Sequence, residues 1–356
     1  MDKASLKIEI LLEQVIRLNA SDLHLQVGLA PMLRIDGSLK PVEEAPVLEA
    51  ADAEKLIFSL LDDDQKEILL KDKEVDFSFA FGTYGRFRVN AFHERGNLAA
   101  ALRLIPAQIR TLEDLQMPKV LQDFTKFPRG LVLVTGPTGS GKSTTLAAMV
   151  DRINTERACH ILTIEDPIEY AHTSKKSIVV QREIHYDTYS FAAALRSSLR
   201  QDPDVVLIGE MRDLETIAAA VTIAETGHLV LATLHTNSAA QSIDRMIDVF
   251  PPHQQQQIRV QLAGMLQGIV SQRLVPAIGG GRVVASEILI ATGAVRNIIR
   301  EGKTHQLDAV IQTGAEAGMQ SMDRQLVQLI QQGKISYDEA KNFAIDLAEL
   351  DRLMRG

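Results

Sequence analysis

Residues 131–144 read Leu131-Val-Leu-Val-Thr-Gly136-Pro137-Thr138-Gly139-Ser140-Gly141-Lys142-Ser143-Thr144, an apolar run that stops at a glycine-rich loop. A short continuous apolar run suits a strand buried on both faces. Helix-forming residues follow Gly141, so the stretch predicts strand, loop, helix. Gly136, Gly141, Lys142 and Ser143 satisfy the spacing G-x-x-x-x-G-K-[ST]. Glycines there leave backbone N–H groups free to face phosphate oxygens, and the following helix N-terminus adds partial positive charge. In such a loop Lys142 reaches the β- and γ-phosphates of a nucleotide, and Ser143 ligates Mg²⁺. Residues 136–144 are therefore the candidate ATP contacts. The bland alternative is a glycine-rich turn with no ligand.

Downstream, Ile161-Leu-Thr-Ile164, Val205-Val-Leu-Ile208 and Leu229-Val-Leu-Ala232 are further strand-sized apolar runs. Helical segments separate them at Lys142–Asn154, Ser190–Arg200 and Asp213–Thr226. This alternation predicts a doubly wound α/β domain with a parallel sheet. From residue 251 onward the chain reads as mostly helical, with a turn at Gly279-Gly-Gly281.

Upstream the pattern differs. Residues 6–18 carry apolar positions at helical spacing, and a second helical stretch covers 49–70. Strands are predicted at Leu23–Val27, at Met32–Gly37 with an Asp36-Gly37 turn, and at 75–79, 85–92 and 99–104. Residues 1–105 thus read as a small α+β unit, 106–118 as a linker and 119–356 as the α/β domain with a helical C-terminal region.

Three acidic or histidine-bearing stretches end the downstream strands. Asp204-Val-Val-Leu-Ile-Gly-Glu210 places Glu210 just past a buried strand, where phosphate-loop enzymes put a carboxylate beside the metal. Glu165, in Thr163-Ile-Glu-Asp-Pro-Ile-Glu169, is a candidate for polarising the attacking water. His228 and His235 bracket the strand 229–234; either could sense a γ-phosphate, or be purely structural. Glu210 and Ser143 are the candidate metal-side oxygens. In the first unit Arg86, Arg88, Arg95 and Arg103 cluster, with Arg86 and Arg88 on one strand face. Such residues either solvate the surface or act as arginine fingers on a neighbour's nucleotide.

Bulk properties exclude several classes. The 356 residues carry a formal charge of −8, a poor balance for gripping many nucleic-acid phosphates. One cysteine, Cys159, allows neither a disulfide framework nor a cysteine zinc site within the chain. No apolar run approaches the roughly 20 residues of a membrane span, and residues 1–7 lack the apolar core of a signal peptide. A cytoplasmic location is expected.

Ser21-Asp-Leu-His-Leu25, the loop 136–144, Thr163–Glu169, Leu199-Arg-Gln-Asp-Pro-Asp204, Gly209-Glu-Met-Arg-Asp213 and Glu225-Thr-Gly-His-Leu-Val230 together resemble the secretion-type hexameric ATPases. The resemblance runs over essentially the whole chain and is closest to the branch that retracts type IV pili. It implies a PAS-like N-terminal domain before a RecA-like P-loop NTPase domain, assembled as a homohexamer. ATP and Mg²⁺ are the implied cofactors. By motif position Glu165 and Asp166 fall in the family's Asp box, Glu210 in its Walker B motif, and His228 and His235 in its His box. Glu165, Glu210, His235, Arg88 and Arg103 are then the catalytic candidates. Ala294-Val-Arg-Asn-Ile-Ile-Arg-Glu301 is similar to a segment associated with retraction, with Val295 and Ile298 departing from its spelling. The implied partners are an inner-membrane pilus platform protein and, as an open possibility, an accessory retraction ATPase; nucleic acid is not one. The implied location is cytoplasmic, held at the inner membrane through the pilus machine. The lack of a four-cysteine zinc motif, and a start directly at the PAS-like region, favour retraction over pilus extension or type II secretion. A ring subunit that binds ATP but turns over little is the remaining alternative.

Overall fold

The computed structural model describes residues 6–35, 37–82, 85–105 and 108–355. The expected Asp36 turn position and the linker's start at 106–107 lie outside the described residues. The chain divides into two compact units, Met1–Gln108 with Pro167–Ala171, and Ile109–Asp166 with His172–Gly356.

The first unit begins with α1 (Ile8–Arg17), whose buried Ile8, Leu11, Leu12 and Val15 recur at helical spacing. Then come β1 (Asp22–Leu25), β2 (Met32–Ile35), β3 (Ser38–Pro41), α2 (Ala50–Phe58), α3 (Asp63–Asp72), β4 (Glu74–Phe81), β5 (Gly85–Glu94) and β6 (Asn97–Ile105). The six strands form one antiparallel sheet in the order β3-β2-β1-β6-β5-β4. Alternation on β5 buries Phe87, Val89 and Ala91 and leaves Arg88 exposed. The single helix expected over 49–70 is two. Asp62 accepts from Gln65 N and forms a capping box that starts α3 afresh, so the apolar spacing continued across a break.

The second unit contains α4 (Val120–Phe124), β7 (Gly130–Thr135), α5 (Lys142–Glu156), β8 (His160–Glu165), β9 (Ile178–Glu183), α6 (Phe191–Ser198), β10 (Val205–Ile208), α7 (Leu214–Glu225), β11 (Leu229–Leu234), α8 (Ala239–Asp248), α9 (Pro252–Met265), β12 (Leu266–Pro276), β13 (Arg282–Ile290), α10 (Gly293–Glu301), α11 (Leu307–Thr313), α12 (Met322–Gln331), α13 (Tyr337–Phe343) and α14 (Leu347–Arg355). Its sheet has the order β13-β12-β7-β11-β10-β8-β9. All neighbours are parallel except β13, which returns antiparallel to β12.

Every residue of β7, β10 and β11 is buried, as expected for strands covered on both faces. Leu131 and Leu133 join Val206, Ile208, Val230 and Ala232 in a core against α7 and α8. Val132 and Val134 turn the other way and pack with Leu146, Met149, Val150 and Ile153 of α5. Parallel pairing brings the carboxyl ends of β7, β11, β10 and β8 to one edge of the sheet, each followed by a loop.

The expectation of a mostly helical chain after residue 251 is corrected by β12 and β13. They form an antiparallel hairpin around the Gly279–Gly281 turn, and all three of those glycines have positive φ. The strand was hidden because α9 passes into β12 at Leu266 with no intervening loop. Strands β3 and β9 were also unforeseen. They are edge strands with mostly exposed or half-exposed side chains, so neither carries a buried apolar stripe. Among the described residues, no helix is long and apolar enough to cross a membrane.

Candidate nucleotide site

The loop between β7 and α5 is shaped by its glycines. Gly136, Gly139 and Gly141 all have positive φ. At Gly136 a Cβ would lie 2.4 Å from Gln272 O and 2.6 Å from Ser140 Oγ, so no side chain fits. Gly141, at φ 91°, is the N-cap of α5, and no side chain caps that end. The first amides of a 15-residue helix are therefore offered at the loop, a ready anion site. Lys142 is buried, and its Nζ donates to Gly136 O at 2.8 Å and Pro137 O at 3.1 Å. To serve a phosphate it must turn away from those carbonyls. Ser143 and Thr144 follow on the first turn and are half-buried, whereas Pro137, Thr138 and Gly139 are exposed.

The neighbouring strands deliver the other candidates to the same edge. Gly136 N donates to Leu234 O, which sets His235 beside the loop. Gly209 N donates to Ile164 O, and the Cβ position of Gly209 lies 3.2 Å from Glu165 Cα, so β10 and β8 end in close approach. Thr233 Oγ1 donates to Gly209 O and fixes the turn that carries Glu210. Glu210 Oε1 lies 3.2 Å from His235 Nε2 and also accepts from Arg212 Nε. Glu165 Oε1 accepts from Thr163 Oγ1 at 2.6 Å and Gln181 Nε2 at 3.2 Å.

Burial lowers the pKa of His235, and the Lys142 cation lowers it further, against an opposing pull from Glu210. A neutral ring follows, and its contact to Glu210 requires the Nε2–H tautomer. The Glu210 carboxylate raises the pKa of Arg212 through their hydrogen bond and charge, with a smaller contribution from Asp166.

His228 is not at this edge. It stands at the amino end of β11, where its Nδ1 meets Ile223 O at 2.9 Å and Thr226 Oγ1 at 3.1 Å. Arg88 and Arg103 belong to the first unit, where they are direct cross-strand partners. Two like charges side by side on a sheet repel. Asp22, buried between neighbours on β1, offsets this by accepting from Arg103 Nε at 2.8 Å, with Arg34 Nε at 3.6 Å from its other oxygen. Burial pushes the Asp22 carboxyl up, but the hydrogen bonds from Ser21 and Arg103 outweigh it and leave the group below its usual value.

Among the described residues no group of three or more His, Cys, Asp or Glu could hold a metal. The oxygens of Ser143 and Glu210 still suit Mg²⁺, which keeps several waters and takes much of its shell from substrate phosphates.

Several neighbours escaped the motif reading. Arg212 sits within a quoted motif, but only the fold shows it on Glu210. A chain of hydroxyls links the loop to β12 and α8: Thr135 Oγ1 meets Ser271 Oγ at 2.9 Å, and Ser242 Oγ meets Thr236 Oγ1 at 2.6 Å. Serine and threonine at these positions carry no sequence signal of their own.

Residues 3–280 match the family described as Type II/IV secretion system protein. The chain is 52% identical over 325 residues to the type IV pilus retraction ATPase PilT of Pseudomonas aeruginosa, covering 91% of this chain and 94% of that protein. It is 50% identical over 315 residues to a twitching motility protein of Neisseria gonorrhoeae, covering 88% and 84%. The crystal structure of the pilus retraction motor PilT with bound ADP superposes with a TM-score of 0.92 at 48% identity, covering 98% of this chain and all of the other. The fold is therefore that of a RecA-like secretion ATPase preceded by a smaller α+β domain, and the chain belongs to the Type II/IV secretion system protein family.

Proposed function

We propose that this chain is an ATPase motor that powers retraction of type IV pili, and hence twitching motility. The observation that carries the proposal is convergence: the phosphate-type loop leading into Lys142 follows β7, and Glu165, Glu210 and His235 lie at the carboxyl ends of the three parallel strands beside it. The high identity to a pilus retraction ATPase supplies the biological setting.

Residues 136–144 cradle the phosphates through backbone amides, and Lys142 leaves the Gly136 and Pro137 carbonyls for the β- and γ-oxygens. Ser143 and Glu210 hold Mg²⁺ or its waters; when bound, the ion neutralises developing phosphate charge. Glu165 orients and polarises the attacking water. Neutral His235 donates through Nε2–H, to Glu210 or to a γ-phosphate, and so distinguishes ATP from ADP. Arg88 and Arg103 of a neighbouring subunit stabilise the transferring phosphoryl in a homohexameric ring. A PAS-like domain over 1–105, a linker over 106–118 and a RecA-like domain over 119–356 make up each subunit. The ring works in the cytoplasm against an inner-membrane platform protein, with no nucleic-acid substrate.

Pilus extension is the nearest competing activity. Deleting the gene and imaging pili separates them. Excess, non-retracting pili are expected; absent pili would assign extension instead.

A further inference from the structure

Gln272 lies on β12, the strand that flanks β7 on the side away from β11. The register pairs Ser271 with Thr135, so Gln272 comes level with Gly136, where its own carbonyl oxygen blocks any side chain. Ser271 faces the hydroxyl chain described above. Alternation turns Gln272 and Leu274 to the opposite face, against Gly141 at the start of α5. The Cβ position of Gly141 is 3.8 Å from Gln272 Nε2 and 3.7 Å from Leu274 Cδ1.

Gln272 is 1% exposed, yet neither its Nε2 nor its Oε1 has a hydrogen-bond partner among the described residues. Ser140 Oγ, on the loop itself, is 3% exposed and has none either. A buried amide unmatched at both ends is costly, and an apolar side chain of the same shape would be more stable there. The element able to change this is the loop. Its glycines permit rearrangement, and Lys142 must release two carbonyl oxygens to meet a phosphate.

We propose, on the nucleotide reading above, that Gln272 is a positioning residue for the phosphate loop. When Lys142 turns onto the phosphates, Gln272 Nε2 donates to a loop carbonyl that the lysine gives up, and Oε1 accepts from Ser140 Oγ–H. The amide thus holds the loop in its phosphate-binding shape without touching the reacting atoms.

The test is Gln272→Met, which keeps the length and removes the amide. Thermal unfolding is followed without nucleotide and with ADP and Mg²⁺; ADP affinity and ATP kinetics are measured alongside. Without nucleotide the variant is expected to melt higher, by on the order of 2 °C. ADP affinity is expected to fall about tenfold, and KM for ATP to rise with kcat little changed. A lower melting temperature without nucleotide would show that the amide already has partners, and would overturn the proposal. So would a higher melting temperature with ADP affinity unchanged. Lys142→Ala serves as the control: if it too binds ADP like the parent, the nucleotide reading itself has failed, and the Gln272 proposal falls with it.

Discussion

Glu165 and Glu210 end adjacent strands, but their partners differ. Glu210 is tied to Arg212 and His235, whereas Glu165 accepts from a threonine hydroxyl and a glutamine amide. The Arg212 and His235 contacts hold the Glu210 carboxylate in position. Glu165→Gln is expected to lower kcat by about 10²- to 10⁴-fold with ADP affinity within a few-fold of the parent. A loss confined to affinity would move Glu165 out of the catalytic role. Gly136→Ala is expected to abolish nucleotide binding, measured by the shift in melting temperature on adding ADP, because its Cβ meets the Gln272 carbonyl and Ser140 Oγ. His235 adds a pH signature. Its pKa is depressed, so acid loss of turnover should begin on the acid side of histidine's ordinary 6.5. His235→Gln should lack that limb.

At the scale of elements, α8 is anchored by an ionisable group. Ala239 N, in its first turn, donates to Glu287 Oε1 at 2.7 Å. Burial pushes the Glu287 carboxyl up to about 7; the Ala239 amide opposes this, Asp308 and Asp323 reinforce it, and Arg273 opposes it. The folded chain therefore holds this proton more tightly than the unfolded chain, whose glutamate titrates near 4.5. The associated stability is fully present below the unfolded value and is lost as pH rises through 7, by roughly 3 kcal/mol. Comparing denaturant midpoints at pH 5 and pH 8, Glu287→Gln should shrink the difference seen in the parent. An unchanged difference would remove Glu287 as its source.

The same scale shows what could be read from the residues. Buried strands β7, β8, β10 and β11 announce themselves as apolar runs, and helices α6 and α7 begin at side chains that do cap them, Ser190 and Asp213. The hairpin β12–β13 did not, because its first strand grows directly out of α9, so the Gly279–Gly281 turn reads as a break between helices. That omission also concealed Gln272 and Ser271, since only strand pairing brings them to the loop. Lys142, Glu210 and His235 were legible because phosphate chemistry needs those residue types just past strand ends. Arg212 and Thr233 support Glu210, and Gln181 supports Glu165, from positions that only the folded register defines.

At the scale of the whole molecule, the proposed ring draws Arg88 and Arg103 into another subunit's site. Mass measured in solution with and without nucleotide should show an assembly; a stable monomer in both conditions would eliminate action in trans. Arg103→Ala should cost on the order of 10³-fold in turnover. Asp22→Asn, which removes the charge facing Arg103, should spare most of it. Equal losses would make the Asp22–Arg103 pair a structural brace. The central claim, that the loop 136–144 and the strand-end residues beside it form one hydrolytic centre, is tested most directly by steady-state ATP turnover of the parent beside Lys142→Ala and Glu210→Ala. Turnover is expected in the parent and lost in both variants; hydrolysis by both at the parent's rate would contradict it.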